Sequence, residues 1–406
     1  MRHKTWQALA WGVAALWLAS PAGWAADIEV TRSGALPETV RRAKPGTRIV
    51  LPPGAYPGPC KITGARGTAA AMIRIVAKDP ARPPVFSGGD VAFQLIDCQY
   101  VIVDGLIAEK ATVNNIQVGD KSHHVILKDV VSRDIAGQSN CDGIKAPDLT
   151  DFLMYRCTVA RWGAEGSAVD MVGCARGLMM KCRFTYPKPK GQTANCIQPK
   201  GGTHDVGVYR CRFDDANFRA MQFGGRTGKR YFFRNNLKQG YEAYDVVAMG
   251  NVLTKGESAA AFVSCTKCAF AYNTIVDPGK HVVRILNEGI DKPVAGNVFA
   301  RNLIVYAKLA EVLNHGPKVD LASHRFEVNY WYNRLKPAGS IPKLRAAQTE
   351  PAGGEDPKLD KDFKPAADAA KAYGAHAPGL EKAWAEHVKK FEWAWKHAVE
   401  LEKNRE

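Results

Sequence analysis

One short phrase recurs along this chain at an almost fixed interval, and that recurrence limits the fold more than any other feature. Five stretches share its shape: Ile126-Leu127-Lys128-Asp129-Val130, Met154-Tyr155-Arg156-Cys157-Thr158, Met179-Met180-Lys181-Cys182-Arg183, Val208-Tyr209-Arg210-Cys211-Arg212 and Ala271-Tyr272-Asn273-Thr274-Ile275. Related stretches occur around Asp104, Asn251 and Asn302. The marked residue, an Asp, Cys or Asn, falls at 104, 129, 157, 182, 211, 251, 273 and 302, mostly 22 to 29 residues apart. That interval is one coil of a parallel β-helix. The longer gap from Cys211 to Asn251 holds one coil and an insertion.

Between the marked residues the segments are short, β-branched and alternating, bounded by Gly, Asn and Asp, which is strand-and-turn patterning. Small residues at one bend of each coil can stack as a ladder that satisfies turn backbone groups. Cys157, Cys182 and Cys211 would be rungs, and the nearby pair Cys265 and Cys268 could close a small disulfide loop. The expected fold is all-β: a right-handed, single-stranded parallel β-helix over 26–335. An irregular extension follows over 336–378. Over 379–406, Leu380, Trp384, Val388, Phe391 and Trp395 recur at helical spacing, giving an amphipathic helix of about six turns. It would cap or brace the β-helix, with Trp393 off its apolar stripe and exposed.

A second strand aligns in each coil. Period-two alternation puts Ile144, Val169, Met171, Ile197, Met221, Phe223, Val283 and Ile285 inside. It turns Lys145, Asp170, Gln198, Gln222 and Arg284 outward in one stripe, with Lys200 two residues further along. A row of charged and amide groups on one sheet suits a linear polymer lying across the stack.

The first 25 residues read as a cleavable export leader: basic Arg2, His3 and Lys4, an apolar run from Trp6 to Ala19, Pro21, and small residues before a cut after Ala25. No later run is long and apolar enough for a membrane span. The chain carries 56 Lys and Arg against 40 Asp and Glu, a net +16. A periplasmic or secreted protein of that charge is expected to meet an acidic polysaccharide and not nucleic acid. A monomer is expected.

The stretch Ala43-Lys44-Pro45-Gly46-Thr47-Arg48-Ile49-Val50-Leu51-Pro52-Pro53-Gly54-Ala55-Tyr56, with Gly64-Ala65-Arg66-Gly67-Thr68, Ile73-Arg74-Ile75-Val76 and Val101-Ile102-Val103-Asp104-Gly105-Leu106, resembles the amino-terminal coils of exported β-helix polysaccharide lyases. The pattern is similar to the alginate lyase and chondroitinase B group, polysaccharide lyase family six, over about 27–335. In that family a Lys on the groove strand takes the proton, an Arg one coil later assists, and calcium held by acidic residues neutralises the uronate carboxylate. The resemblance makes Asn195-Cys196-Ile197-Gln198-Pro199-Lys200 the Lys-bearing strand. Thr193 and Asn195 stand where the family has acidic calcium ligands, and Ala220-Met221-Gln222-Phe223 lacks the expected Arg. No cofactor is therefore expected, with calcium left open.

β-Elimination of a uronate needs its carboxylate neutralised, its C5 proton removed and its departing 4-oxygen assisted. The residues that fit are Lys200 as base, Arg219 or Arg234 as carboxylate clamp, and Tyr241 or His204 as acid. Lys145, Asp170, Gln198, Gln222, Arg226, Glu242 and Arg284 would bind substrate. Glu242 could instead order the groove wall by pairing with an Arg of the same loop. Arg284 and Glu288 could pair with each other. A C5-epimerase, a glycoside hydrolase using outward carboxylates such as Asp142 and Asp170, and a non-catalytic carbohydrate-binding β-helix remain open alternatives.

Overall fold

A computed structural model describes residues 27–186, 193–228, 231–232 and 240–404. The expected leader over 1–25 and Arg234 lie outside the described residues. Each coil is three short strands. One runs Asp142–Pro147, Thr150–Tyr155 and Thr158–Ala160, and Ser167–Val172 opens the next. Successive coils pair in parallel, so the described residues build three sheets, of ten, fourteen and twelve strands. This is the parallel β-helix that the repeat predicts. The ten-stranded sheet carries the polar stripe and is called the groove sheet. The fourteen-stranded one is the braced sheet. The residues assigned inside by alternation are buried in one continuous core with stacked aromatics, among them Phe223 on Phe262 at 4.9 Å and Phe270 on Phe299 at 5.6 Å.

In the early coils the ladder lies beyond the point where the phrase places it, by one residue at Asp129 and by two at Asp104. Each turn out of the braced sheet uses one residue in the left-handed region, and the rung follows it. Asp129 (φ 51°) precedes Val130, Arg156 (φ 54°) precedes Cys157, and Arg301 (φ 53°) precedes Asn302. Asp104 and Asp129 are therefore not rungs. Asp104 ends a strand and receives Lys128 Nζ at 2.7 Å, while Asp129 receives Arg156 Nε at 2.7 Å. Leu106 and Val130 hold the buried rung positions in those coils. From Asn251 to Asn329 the ladder is all Asn. Asn273 Oδ1 accepts the Asn251 N–H at 3.0 Å and its Nδ2 at 2.9 Å, and Asn302 Oδ1 serves Asn273 likewise.

All ten cysteines are buried free thiols. Cys265 and Cys268 do not form the expected small loop. Cys265 Sγ lies 3.7 Å from Asn297 Oδ1 and Cys268 Sγ 3.4 Å from the Thr266 carbonyl, so each thiol has its own partner.

The N-terminal end is covered by helix α1 (Leu36–Arg42), which buries Leu36 and Val40 against the first coil. At the other end the coiling runs past 335. Gln348–Thr349 and Ala352–Gly353 each add a parallel strand, so the extension begins as part of one more coil. The tail is not a single six-turn helix. It comprises α2 (Leu380–Ala385), a 3-10 turn over Val388–Phe391 and α3 (Glu392–Lys403). These segments lie along the outer face of the braced sheet as a brace, covering Leu153, Leu178, Tyr209 and Val247. Gly207 admits them: a Cβ there would stand 2.7 Å from both Trp384 and Phe391. Trp393 is half-buried and not exposed. It meets the His124 ring edge-on at 4.9 Å, because after the break α3 presents its own face to the sheet. Among the described residues no helix is long and apolar enough to cross a membrane.

Candidate functional site

Parallel register without slippage carries the polar stripe across the groove sheet. Lys61, Gln94, Gln117, Lys145, Asp170 and Gln198 occupy successive coils at one register position. Ile197 pairs with Met221, which places Gln222 beside Gln198, and the row continues through Ala261 and Arg284 to Asn314. The stripe residues expected to face outward do share one face. Its middle, however, is not solvated: Asp170 and Gln222 are buried. Lys145 and Lys200 cover Asp170, and the chain returns over Gln222 at Gly225, where a Cβ would stand 2.6 Å from Gln198 Nε2 and 3.2 Å from Gln222 Nε2.

A second polar row runs beside the first at the strand starts. Asn114 pairs with Asp142, Ser167 with Asn195, and Arg219 with Ser258 and then His281. Strict alternation misses this row. Asp142 and Arg219 lie three residues before Lys145 and Gln222, an odd offset that period two assigns to the interior. The strand start is still leaving its turn there, so both side chains reach the polar face.

The two rows meet in a compact charge cluster. Lys145 Nζ lies 3.3 Å from Asp142 and hydrogen-bonds Asp170, while Lys200 Nζ lies 3.1 Å from the other Asp170 oxygen. Asp142 also accepts the Ser167 N–H at 2.8 Å. Two cations and two carboxylates therefore close to zero charge. Burial, together with the neighbouring Asp170, pushes the Asp142 carboxyl up to about 6. For Lys145, burial opposes the charge, but the Asp170 and Asp142 carboxylates outweigh it and hold the ammonium above its ordinary range.

Arg219 stands one strand further. Its Nη1 donates to Gln222 Oε1 and lies 3.4 Å from Glu288, and burial lowers its affinity for the proton. Arg284 pairs with Glu257 at 3.1 Å, not with Glu288. Glu242 does order the groove wall, but through backbone groups and not an Arg. Its buried carboxylate accepts the N–H of Gly201 at 2.8 Å and of Thr227 at 2.7 Å, tying the turn after Lys200 to the start of the insertion.

Two proposed acids lie elsewhere. His204 belongs to the braced sheet, where it stacks on Tyr244 at 4.7 Å and its Nδ1 is 2.7 Å from Asp205. Tyr241 donates its hydroxyl to the Pro293 carbonyl at 3.2 Å, with Lys292 over its ring. Arg226 is exposed just beyond Gly225.

The residues present do not fit the calcium implied by the family resemblance. Thr193 and Asn195 supply no charge, and the nearby carboxylates Asp142 and Asp170 are taken up by Lys145 and Lys200. Among the described residues no group of three or more His, Cys, Asp or Glu is placed to hold a metal.

No family model matches the chain, and no curated protein matches it. Solved structures similar to it include an alginate lyase from Paenibacillus sp. str. FPU-7, at 18% identity over 71% of this chain and 98% of that one, with a TM-score of 0.46. A family 28 exopolygalacturonase from Yersinia enterocolitica aligns at 11% identity over 81% of this chain and 76% of that one, with a TM-score of 0.48. A mannuronic acid-specific family 6 polysaccharide lyase from human gut microbiota aligns at 13% identity over 90% and 99% of the two chains, with a TM-score of 0.45.

Proposed function

We propose that this protein acts outside the cytoplasm on an acidic, uronate-containing polysaccharide and cleaves it by β-elimination. The observation that carries the reading is the convergence of Lys145 and Lys200 on the buried Asp170, with Arg219 at the start of the strand after that of Lys200 on the same polar sheet face. A polyanion lying across the stripe brings a uronate carboxylate to these cations. Neutralising that carboxylate acidifies its C5–H. Lys200, once its ammonium has given a proton to solvent, takes the C5 proton, the C4–O bond breaks, and a C4–C5 double bond forms. With His204 in another sheet, Lys200 itself returns the proton to the departing 4-oxygen. Arg219, or the exposed Arg226, holds the carboxylate.

The test is ultraviolet absorbance of new unsaturated uronates on a panel of acidic polysaccharides, with Lys200→Ala beside the wild type. Absorbance that disappears in the variant supports the reading. A flat absorbance on every polymer overturns it. The Asp142–Asp170 pair, with one carboxyl raised to about 6, favours hydrolysis as a second reading. New reducing ends without absorbance would select it.

A further inference from the structure

We infer that His124 makes the docking of the C-terminal brace sensitive to pH: α3 stays on the braced sheet while this imidazole is neutral and leaves it when the ring takes a proton. The inference does not depend on the reaction proposed above, because docking of the tail is read directly.

In four successive coils the braced sheet places one left-handed residue at the same point of its strands. These are Tyr100 (φ 52°), His124 (φ 56°), Asp151 (φ 52°) and Arg176 (φ 54°), lined up by the pairing of Gln99 with His123, His123 with Thr150, and Thr150 with Ala175. The helix α3 packs on the strands that carry Asp151 and Arg176. His124 is half-buried in a pile of rings that runs from the sheet into that helix. Tyr100 stacks on it at 4.4 Å, Trp393 of α3 meets it edge-on at 4.9 Å, and His397 lies against Trp393 at 4.4 Å. His397 Nδ1 donates to the Trp393 carbonyl at 2.9 Å, so the helix itself fixes the imidazole beside that indole.

The groups facing His124 are His123 from its own strand, Tyr100, Asp151 and Arg176 from the neighbouring strands, and His397 and Trp393 from α3. Among the described residues Asp151 is the one carboxylate of that set, and Arg176 holds both its oxygens, at 2.7 and 2.6 Å. A charged His124 is therefore covered from water with no carboxylate of its own. Burial pushes its imidazole below the ordinary 6.5, His123, Arg176 and His397 push the same way, and Asp151 opposes them. His123, Asp151 and Arg176 belong to the sheet and stay beside the ring in either state. The difference between docked and released is what α3 brings, the cover of Trp393 and the second imidazole of His397. A released His124 thus takes a proton more readily than a docked one. Docking is complete above about pH 6.5 and weakens as pH falls below it, where the released form gains the proton first.

The test is limited proteolysis of the full chain from about pH 7.5 to about pH 5, the range a histidine spans. Cleavage beyond Gly379 is scored in wild type and in His124→Asn, which tolerates the left-handed backbone and takes no proton. The ratio of the two rates cancels the protease's own pH dependence and that of the tail's other histidines. It should be constant down to about pH 6.5 and rise several-fold by about pH 5. A ratio flat across the range overturns the inference. So does one that falls in acid, which would mean that the charged ring grips the π face of Trp393. His124→Phe, which keeps a ring against Tyr100 and Trp393, serves if the Asn variant already releases the tail at neutral pH. If both do, hydrophobic dye binding decides. In wild type and His387→Asn alike it should rise several-fold and reversibly as pH falls from about 6.5 to about 5, with the β circular dichroism unchanged. No rise overturns the inference.

Discussion

Lys200 Nζ lies 3.1 Å from Asp170 Oδ1, and Asp170 gives its other oxygen to Lys145, so one buried carboxylate positions two cations of the groove. Asp170→Asn leaves those ammonium groups facing each other with Asp142 alone to balance them. Breaking a buried pair from one side costs about 3–5 kcal/mol. Denaturant unfolding of Asp170→Asn should show a loss of that size. Lys200→Ala keeps the Lys145–Asp170 bond and should lose much less. If Lys200 is the base, Asp170→Asn should also lower turnover on the order of 100-fold through misplacement. Equal stability of the two variants would contradict this arrangement.

The raised Asp142 carboxyl has a pH signature with a definite sign. Folded, it titrates at about 6, against an ordinary 3.8. Between those values the folded chain holds a proton that the unfolded chain has lost. The group's contribution is therefore complete below about pH 4, falls as pH rises to about 6 and is flat above, a decline on the order of 2–3 kcal/mol. Other carboxylates impose their own pH dependence, so the difference between wild type and Asp142→Asn isolates the effect. Denaturant midpoints from pH 4 to 7 should converge or cross over that window. Parallel curves would rule out a buried, proton-holding Asp142.

The two halves of the ladder should respond differently to the same truncation. Asn273→Ala removes the acceptor of both the Asn251 backbone N–H and its side-chain amide, groups at a fully buried turn. It should cost roughly 2–4 kcal/mol. Cys182→Ala deletes a thiol whose contacts with the Met154 and Met180 carbonyls are long, at 3.3 and 3.6 Å, and should cost about 1 kcal/mol. Similar losses at the two sites would mean that rung volume, and not hydrogen bonding, holds the coil turns.

The legible part of this molecule is the part governed by a period. Coil length, strand alternation and the shared register of Lys145, Asp170, Gln198 and Gln222 follow from repeats of about 25 and of 2 residues. The illegible part lies where the period breaks. The phrase points to Asp129, but Asp129 is the left-handed residue and the rung is Val130 after it. The pairing of Asp142 with Lys145 is hidden in the pattern, because a strand start does not obey alternation. The partners of Arg219 and Arg284 come from turn residues Glu288 and Glu257, whose positions no local pattern encodes. His204 is near Lys200 in sequence, but the turn at Gly201 and Gly202 carries it into another sheet.

The brace supplies the last prediction. Trp384 lies flat on Tyr209, with centroids 4.2 Å apart and planes 11° from parallel, directly over the gap left by Gly207. Lys390 with Asp245 and Lys181 with Glu402 pin the same segments at their edges, but such partly exposed pairs contribute little. Burial of the ring therefore dominates. Trp384→Ala should cost about 3–5 kcal/mol. Gly207→Val should prevent docking sterically while leaving every brace side chain intact. In both variants the uncovered face of Leu153, Leu178 and Val247 should bind a hydrophobic dye, and the tail beyond Gly379 should become sensitive to protease. The coils themselves close through their ladders and should keep their β circular dichroism. If dye binding and proteolysis stay at wild-type levels in Gly207→Val, the tail does not owe its docking to that gap.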